Sequence, residues 1–264
     1  MKREPLVRSV SRAVVILQAI NRAGSLSLSE IADTVNLPYA TTVRIVQTLL
    51  HEGLIERETT RKFYRVTRLV QSLSLGFKET GSLVDIAHPH LSALTKKIGW
   101  PVAVSTRVGK SMVTRDSTHA ETSLTFTNYQ PGYTFPILES STGHCFLAHL
   151  PDDERKFILK GIELSDGRTP QLQAFESICT VEAIREKGYA VYVRGLHTTT
   201  PGKTSSISVP IFAHGSVCAS LPLTIFASAM PLEKAIKNFV GEMKATAHVI
   251  GTALTQETVG GSNL

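Results

Sequence analysis

Cysteine is scarce in this 264-residue chain. Cys145, Cys179 and Cys218 are odd in number and widely separated, and no two make a CxxC pair. That excludes a disulfide framework and supplies no zinc-ligand spacing, so neither metal nor cofactor is expected. Long apolar runs are also missing: nothing approaches the roughly 20 apolar residues that span a bilayer. The start, MKREPLVRSVSRAVVILQAI, places basic residues before an apolar run, but that run is short, holds Gln18 and lacks a small-residue cleavage site. A cytoplasmic protein without a membrane partner is expected. The chain has no internal repeats, nucleophile elbow, acidic pair or phosphate-cradling glycine loop. His144 and Cys145 are adjacent, and neighbouring helical residues diverge by roughly 100°, which makes them a poor base and thiol nucleophile. An enzyme is therefore not expected.

What is present is a basic excess concentrated at one end. Residues 1–79 hold 12 Lys/Arg against 7 Asp/Glu, while residues 80–264 hold 16 against 15, within a net charge of +6. A polyanion partner for the first third fits this asymmetry. That third contains LSLSEIADTVNLPYATTVRIVQTLLHEG, residues 26–53. It reads as two helices around a tight turn. The first covers 28–35, with Ser27 or Ser29 as cap and Glu30 in the first turn. Asn36 and Leu37 make the turn, and Pro38 opens the second helix. Val43, Val46, Leu49 and Leu50 form that helix's apolar stripe. The opposite face offers Tyr39, Ala40, Thr41, Thr42, Arg44 and Gln47, groups suited to base edges and phosphates. An ordinary helical hairpin with a solvated face has the same pattern. The flanks favour DNA. An earlier helix, capped by Ser9 or Ser11 and reaching Arg22, precedes the hairpin; two β-prone runs, 54–57 and 62–66, follow it as a wing. Three helices and a basic β-hairpin make a winged helix-turn-helix.

Residues 67–80 read as an amphipathic linker helix weakened by Gly76. A helix over 83–98 follows, with a kink or break near His88 ahead of Pro89. The period then changes. Strands are expected at 102–106, 111–115 and 124–126, with a helix from Ser141 to His149 and another over 152–161. Beyond them come a helix over 178–187, a strand over 189–194, a polar Thr-rich loop at 196–203, strands at 205–212 and 216–226, and a closing helix from Leu232 to about Gln256. Helices packed on an antiparallel sheet make an α+β protein: a winged helix-turn-helix domain (1–66), a linker helix (67–80) and a sensor-like domain (81–264).

The motifs SRAVVILQAI, IADTVNLPYATTVRIVQTL and HEGLIER, then the Gly-x-x-x-Pro step with its small-residue helix start at 132–148, AIREKGYA at 183–190 and SSISVPIF at 205–212, resemble the IclR family of bacterial transcriptional regulators. The likeness covers almost the full length. It implies a DNA-binding domain joined to a GAF-like effector domain. It also implies a homodimer or dimer of dimers on operator DNA, with possible contact to RNA polymerase, and control of a catabolic operon by a small organic acid. WPxxVST at 100–106, the run at 112–119 and FASAM at 226–230 resemble the branch that regulates hydroxyphenylpropionate catabolism, which implies an aromatic carboxylate. One departure stands out: many members carry an acidic pair after the GYA strand, where this chain has Tyr192, Val193 and Arg194.

The DNA face would comprise the recognition residues above, Arg61 and Lys62 on the wing, and phosphate contacts from Arg8, Ser9 and Arg12. Arg44 could instead pair with Glu30 or Asp33. By motif position the resemblance assigns Ser140, Ser141, Thr142 and Gly143 to an effector site, where helix N-terminal N–H groups hold a carboxylate. Ser206, Ser208, Pro222 and Thr224 would form its wall, although hydroxyls can also bond their own backbone. Arg115 and Arg194 are candidate carboxylate partners by bidentate hydrogen bonds, with surface ion pairs as the other use for each. Tyr192 and His119 are candidates for contact with a ring or phenol, against a structural role for a lone histidine. A constitutive architectural DNA-binding protein is a further reading, which the large and nearly neutral second domain disfavours.

Overall fold

The computed structural model describes residues 7–73, 83–124, 129–177, 181–194 and 204–260. The chain divides into two compact units, Met1–Lys78 and Glu79–Leu264, each with its own apolar core.

The first unit runs α1 (Arg8–Ala23), β1 (Leu26–Ser27), α2 (Leu28–Val35), α3 (Tyr39–His51), β2 (Ile55–Arg57), β3 (Phe63–Val66) and α4 (Arg68–Ser72). Neither Ser9 nor Ser11 caps α1: the helix begins at Arg8, flanked by Val7, without a side-chain cap. Ser27 does cap α2. Its hydroxyl accepts the Glu30 N–H at 3.3 Å, and the Glu30 carboxylate accepts the Ser27 N–H at 2.8 Å. This reciprocal box ties off two orphan donors and holds the Glu30 carboxyl below its ordinary pKa. Asn36 takes the left-handed conformation that turns the chain. Pro38 stands just before α3 rather than as its first residue, and its carbonyl accepts the N–H groups of Thr41 and Thr42 at 2.9 and 3.0 Å. Ile16, Ile20, Ile31, Ile45, Val46, Leu49, Ile55 and Tyr64 make the core. Val43 and Leu50, expected in the stripe, are only half-buried. The wing is three-stranded in the order β1-β3-β2, because the two residues of β1 pair with Phe63 and Tyr64.

The second unit runs α5 (Leu83–Ile98), β4 (Ala103–Val108), β5 (Ser111–Ser117), β6 (Thr134–Pro136), α6 (Ser141–His149), α7 (Asp152–Asp166), α8 (Pro170–Ser177), α9 (Val181–Lys187), β7 (Ala190–Val193), β8 (Thr204–Ala213), β9 (Ser216–Phe226) and α10 (Leu232–Gly260). The strands form one antiparallel sheet in the order β6-β5-β4-β9-β8-β7. Its two faces differ in chemistry. Ile207, Val209 and Ile211 of β8 and Leu221, Leu223 and Ile225 of β9 share a core with residues of α5 and α10. The alternate residues, Ser206, Ser208, Ser220, Pro222 and Thr224, belong to the opposite face, where α6 lies, as the pleat requires.

Some expectations are corrected. Of the kink or break expected near His88, the break does not occur: α5 runs through Pro89, with Ala87, Leu91 and Leu94 all buried, so packing offsets the hydrogen bond that proline removes. α7 extends to Asp166, past Gly161, since Ile162 continues its buried face. β6 and α8 were not anticipated. The expected strand at 124–126, most of the linker at 67–80, the start of the helix at 178–187 and the Thr-rich loop fall wholly or partly outside the described residues.

Two glycines of α10 separate packing from propensity. A Cβ on Gly251 would lie 2.1 Å from the Phe212 carbonyl oxygen, whereas one on Gly241 meets nothing within 4 Å. Gly251→Ala should destabilise the fold by about 1–3 kcal/mol through forced backbone shifts, while Gly241→Ala should stabilise it by about 0.5–1 kcal/mol. Urea denaturation of both variants checks the opposite signs.

Candidate DNA face and effector cavity

In the first unit, α1 and α3 bound an open groove with about 1140 Å³ of atom-free space, lined by Ser9, Arg12, Thr41, Arg44, Ile45, Gln47, Thr48 and His51. Arg12, Thr41, Arg44 and Gln47, expected at a DNA face, therefore meet in one groove. Arg44 makes no ion pair with Glu30 or Asp33 among the described residues; the Glu30 carboxylate is occupied by the capping box. Tyr39 and Ala40 are exposed at the start of α3, and Arg8 is exposed at the start of α1. On the wing Arg61 and Lys62 are exposed, and the Arg61 guanidinium lies 6.0 Å from the Phe63 ring centre. Thr42 is a correction. It is fully buried, its hydroxyl donating to the Pro38 carbonyl at 3.3 Å, so it locks the start of α3 and cannot reach a base. Thr48 and His51 were missed, although they continue the Arg44–Gln47 face by one turn.

In the second unit, the N-terminus of α6 is pinned to the sheet. Ser140 caps the helix, its hydroxyl accepting the Gly143 N–H at 3.0 Å. Ser141 Oγ donates to Ser206 Oγ and lies within hydrogen-bond distance of Ser208 Oγ, both at 2.9 Å. Ser208 also reaches the Thr142 hydroxyl at 3.3 Å, and Ser220 donates to the Thr142 carbonyl at 3.2 Å. A Cβ on Gly143 would sit 1.8 Å from the Ile137 carbonyl oxygen, so only glycine fits there. Ser141, Gly143 and Ser208 thus hold the helix against the sheet.

Beside this junction is a cavity with about 480 Å³ of atom-free space including its mouth, and Ser140, Thr142, Ser206, Pro222, Thr224, His119 and Arg194 all line it. Tyr192 and Arg115 do not. Tyr192 stands edge-on to the His144 ring at 5.5 Å. Arg115 alternates with Thr114, which does line the cavity, and so belongs to the other side of β5. Missed were Ala103, Ser105, Thr114, Tyr129, Phe135, Glu139 and Thr204. Strand alternation could have found Ser105 and Thr114, which pair with each other across β4 and β5. The loop residue Tyr129 carries no periodic signal.

The cavity is polar, partly aromatic and mostly uncharged. The rings of His119 and Tyr129 stack at 5.2 Å, and the Arg194 guanidinium lies 5.8 Å from the Tyr129 ring centre. Burial pushes the Tyr129 hydroxyl pKa up and drives the His119 imidazole down to about 4. Ser105 Oγ is buried without a hydrogen-bond partner among the described residues, a donor ready for a ligand. Nothing here resembles a nucleophilic site. The His144 ring donates to the Leu138 carbonyl at 2.9 Å and burial lowers its pKa. Cys145 Sγ lies 4.0 Å from His149 Nδ1, but the thiol is fully buried and burial raises its pKa. No group of metal-ligating side chains occurs among the described residues, and none of their helices is long and apolar enough to cross a membrane.

Comparison with known proteins decides the class. The helix-turn-helix domain of the IclR family matches residues 9–59, and the C-terminal domain of the bacterial transcriptional regulator IclR matches residues 79–252. The chain belongs to the IclR family. It is a DNA-binding transcriptional regulator, and members of this family are regulators rather than enzymes. Among its relatives is the HTH-type transcriptional regulator TsaQ1/TsaQ2 of Comamonas testosteroni, 23% identical, with 91% of this chain and 90% of that protein covered. Another is BhcR of Paracoccus denitrificans, 27% identical over 78% and 72%. Solved structures with the same fold include the Thermotoga maritima IclR, at 26% identity, a TM-score of 0.62 and 95% and 100% coverage. A second is an IclR homologue from Microbacterium hydrocarbonoxydans complexed with 4-hydroxybenzoate, at 21% identity, a TM-score of 0.64 and 94% and 99% coverage.

The His119 environment makes stability pH-dependent. Its folded pKa of about 4 lies below the ordinary 6.5, so the unfolded chain takes the proton first. Stability should be complete above pH 6.5 and fall as pH drops toward 4, by about 2–3 kcal/mol from this residue at pH 4.5. His119→Phe, which keeps a ring against Tyr129, should lose less stability than wild type between pH 7 and 4.5 in urea titrations.

Proposed function

We propose that this regulator controls a catabolic operon in response to a small aromatic carboxylate bound in the cavity beside α6. The observation that carries this reading is the convergence of Arg194, the His119–Tyr129 stack and the hydroxyls of Ser140, Ser206 and Thr224 on one cavity. Arg194 offers a bidentate partner for a carboxylate, the stacked rings offer a flat apolar face, and the hydroxyls suit a polar ring substituent. The similar protein complexed with 4-hydroxybenzoate supports an aryl acid of this kind. A thermal-shift titration with benzoate and 4-hydroxybenzoate should raise the melting temperature. Arg194→Ala should weaken the response at least about tenfold, the cost of removing one partner of a charged hydrogen bond, and Arg115→Ala should leave it intact. If no aryl or aliphatic acid stabilises the protein, the effector reading fails.

On DNA, Tyr39, Ala40, Thr41, Arg44 and Gln47 enter the major groove, with Arg12, Arg8, Arg61 and Lys62 on the phosphates. The working unit is a homodimer or a dimer of dimers, as an operator of two half-sites requires. Val10 and Val14 of α1, with Val7 just before it, recur every three or four residues with 60%, 49% and 64% exposure, an apolar stripe suited to a second copy. Effector binding biases the placement of the paired DNA-binding units through residues 67–80, with a coupling of about 1–3 kcal/mol, and so changes operator occupancy or contact with RNA polymerase. In gel shifts with the DNA upstream of its own gene, Arg44→Ala should weaken binding by about 1–3 kcal/mol if it reads a base. If it holds a phosphate, the salt slope should fall by about one instead. Binding indifferent to sequence would favour an architectural protein.

A further inference from the structure

At the opposite end of α6 from the cavity beside Ser140, a second hollow opens among α6, α9, β8 and α10. It has about 770 Å³ of atom-free space, and its lining includes His149, Arg185, Lys244, His248, Pro210 and Phe212. It shares no lining residue with the first cavity. Four of its side chains are cations or can become so, and no carboxylate lines it. Positive charges gathered without a counter-charge oppose one another. Burial first, and then the charges of Arg185 and Lys244, hold the His149 imidazole below its ordinary pKa against the pull of the Cys145 carbonyl.

Backbone carbonyls fix these cations in place and leave donors to spare. Arg185 Nε donates to the Ala148 carbonyl at 2.5 Å, and Nη2 donates to the Leu150 carbonyl at 2.8 Å and to Asp152 at 3.2 Å. Its Nη1 makes no hydrogen bond among the described residues, and Asp152 is shared with Arg155 at 3.0 Å. Lys244 donates to the Lys187 carbonyl at 2.5 Å and stands 5.7 Å from the Tyr189 ring centre, which uses one of its three donors. A Cβ on Gly188 would lie 2.8 Å from Lys244 Nζ, so the glycine keeps room for the lysine. His149 Nδ1 donates to the Cys145 carbonyl at 2.8 Å, which leaves Nε2 for a ligand. His248 follows Lys244 by one turn on the same side of α10. Phe212, 46% exposed and edge-on to His149 at 5.5 Å, forms an apolar wall with Pro210.

Fixed cations beside an apolar wall suit an anion of two charges on an apolar body. A phosphate monoester carries about −1.5 to −2 charges at pH 7 and three strong acceptor oxygens, which match the two permanent cations. We propose that this hollow is a second ligand site, for a small organic phosphate monoester, with Arg185, Lys244 and His149 on the phosphate and Phe212 against the organic part. The inference does not rest on the effector reading.

Isothermal titration calorimetry of the full chain with phenyl phosphate, and with inorganic phosphate as the second probe, tests this. Phenyl phosphate should fill one site per chain and bind more weakly as sodium chloride is added. Inorganic phosphate should compete for the site with lower affinity, since it has no body to place on Phe212. Lys244→Gln should weaken phenyl phosphate at least about tenfold, through loss of a charged hydrogen bond. His248→Glu, a change at an exposed position of α10, should also weaken it by setting a negative charge in the hollow, while leaving the Lys244–Lys187 contact intact. Phe212→Ser should cost phenyl phosphate more affinity than inorganic phosphate. If phenyl phosphate does not saturate the wild type below about 10 mM, or binds Lys244→Gln and His248→Glu as tightly as the wild type, the proposal falls. Binding that is lost in Arg44→Ala or Arg194→Ala but kept in those two variants would put the anion at the DNA face or in the first cavity, and overturns it equally.

Discussion

The second unit depends on a hydroxyl bridge between α6 and the sheet. Ser141 links to both Ser206 and Ser208, Ser208 to Thr142, and Ser220 to the Thr142 carbonyl. Ser141, Ser208 and Ser220 are completely buried. A buried hydroxyl costs stability when left unpaired, so these groups hold one another in place. Each hydroxyl has one proton to give, and the geometry uses them in sequence: Ser141 donates to Ser206, and Ser206 donates to the Tyr192 carbonyl at 3.4 Å. The helix is therefore fixed in height and rotation over the sheet. Gly143 adds a second restraint by bringing the helix backbone against Ile137.

That restraint explains why a cavity forms beside the junction. The sheet divides its residues by parity, with branched apolar side chains toward α5 and α10 and mainly small hydroxyls toward α6. An apolar face closes completely because its side chains interdigitate. A face of serine, threonine and proline has too little side-chain volume to fill the space under a helix held at fixed height. What remains is a polar-walled hollow closed at one side by Tyr129, Phe135 and His119. The cavity thus follows from small residues on one strand parity together with a rigid spacer.

Much of this was legible in the sequence, and the failures have physical causes. The hydroxyl cap of α2, left open between Ser27 and Ser29, the Asn36 turn and the wing strands are local devices, read from neighbours in the chain. The alternation of Ser206 and Ser208 correctly placed both on one face, but not which would be consumed by the bridge; that depends on the height of α6, a tertiary quantity. Thr42 was misassigned because its neighbours Tyr39, which is exposed, and Thr41, which is half-buried, are polar, while its own hydroxyl satisfies the helix start. Arg115 was plausible because β5 carries Met112 and Val113 on opposite parities, so composition does not reveal the inner face. Tyr129 lies in a connection without periodicity, and only the fold brings it onto His119.

The departure from the family pattern at Tyr192-Val193-Arg194 acquires a meaning from the same parity. Tyr192 turns to His144, while Arg194, the next residue but one and the last described before 195–203, lines the cavity. Its N–H bonds the carbonyl of Thr204 at 3.0 Å, and Thr204, the first described residue after that segment, lines the cavity too. Glu139, at the turn that leads into α6, lines the same space with the opposite charge. A bound anion would be drawn to the arginine and repelled by the glutamate. Its charge would therefore favour one end of the cavity, between β7 and β8, over the end nearest α6. An acid orients in such a field even before any hydroxyl is engaged, because charge sets direction over longer distances than hydrogen bonds do. For the carboxylate proposed above, the helix N-terminus and Arg194 would attract from different sides, with Glu139 opposing both.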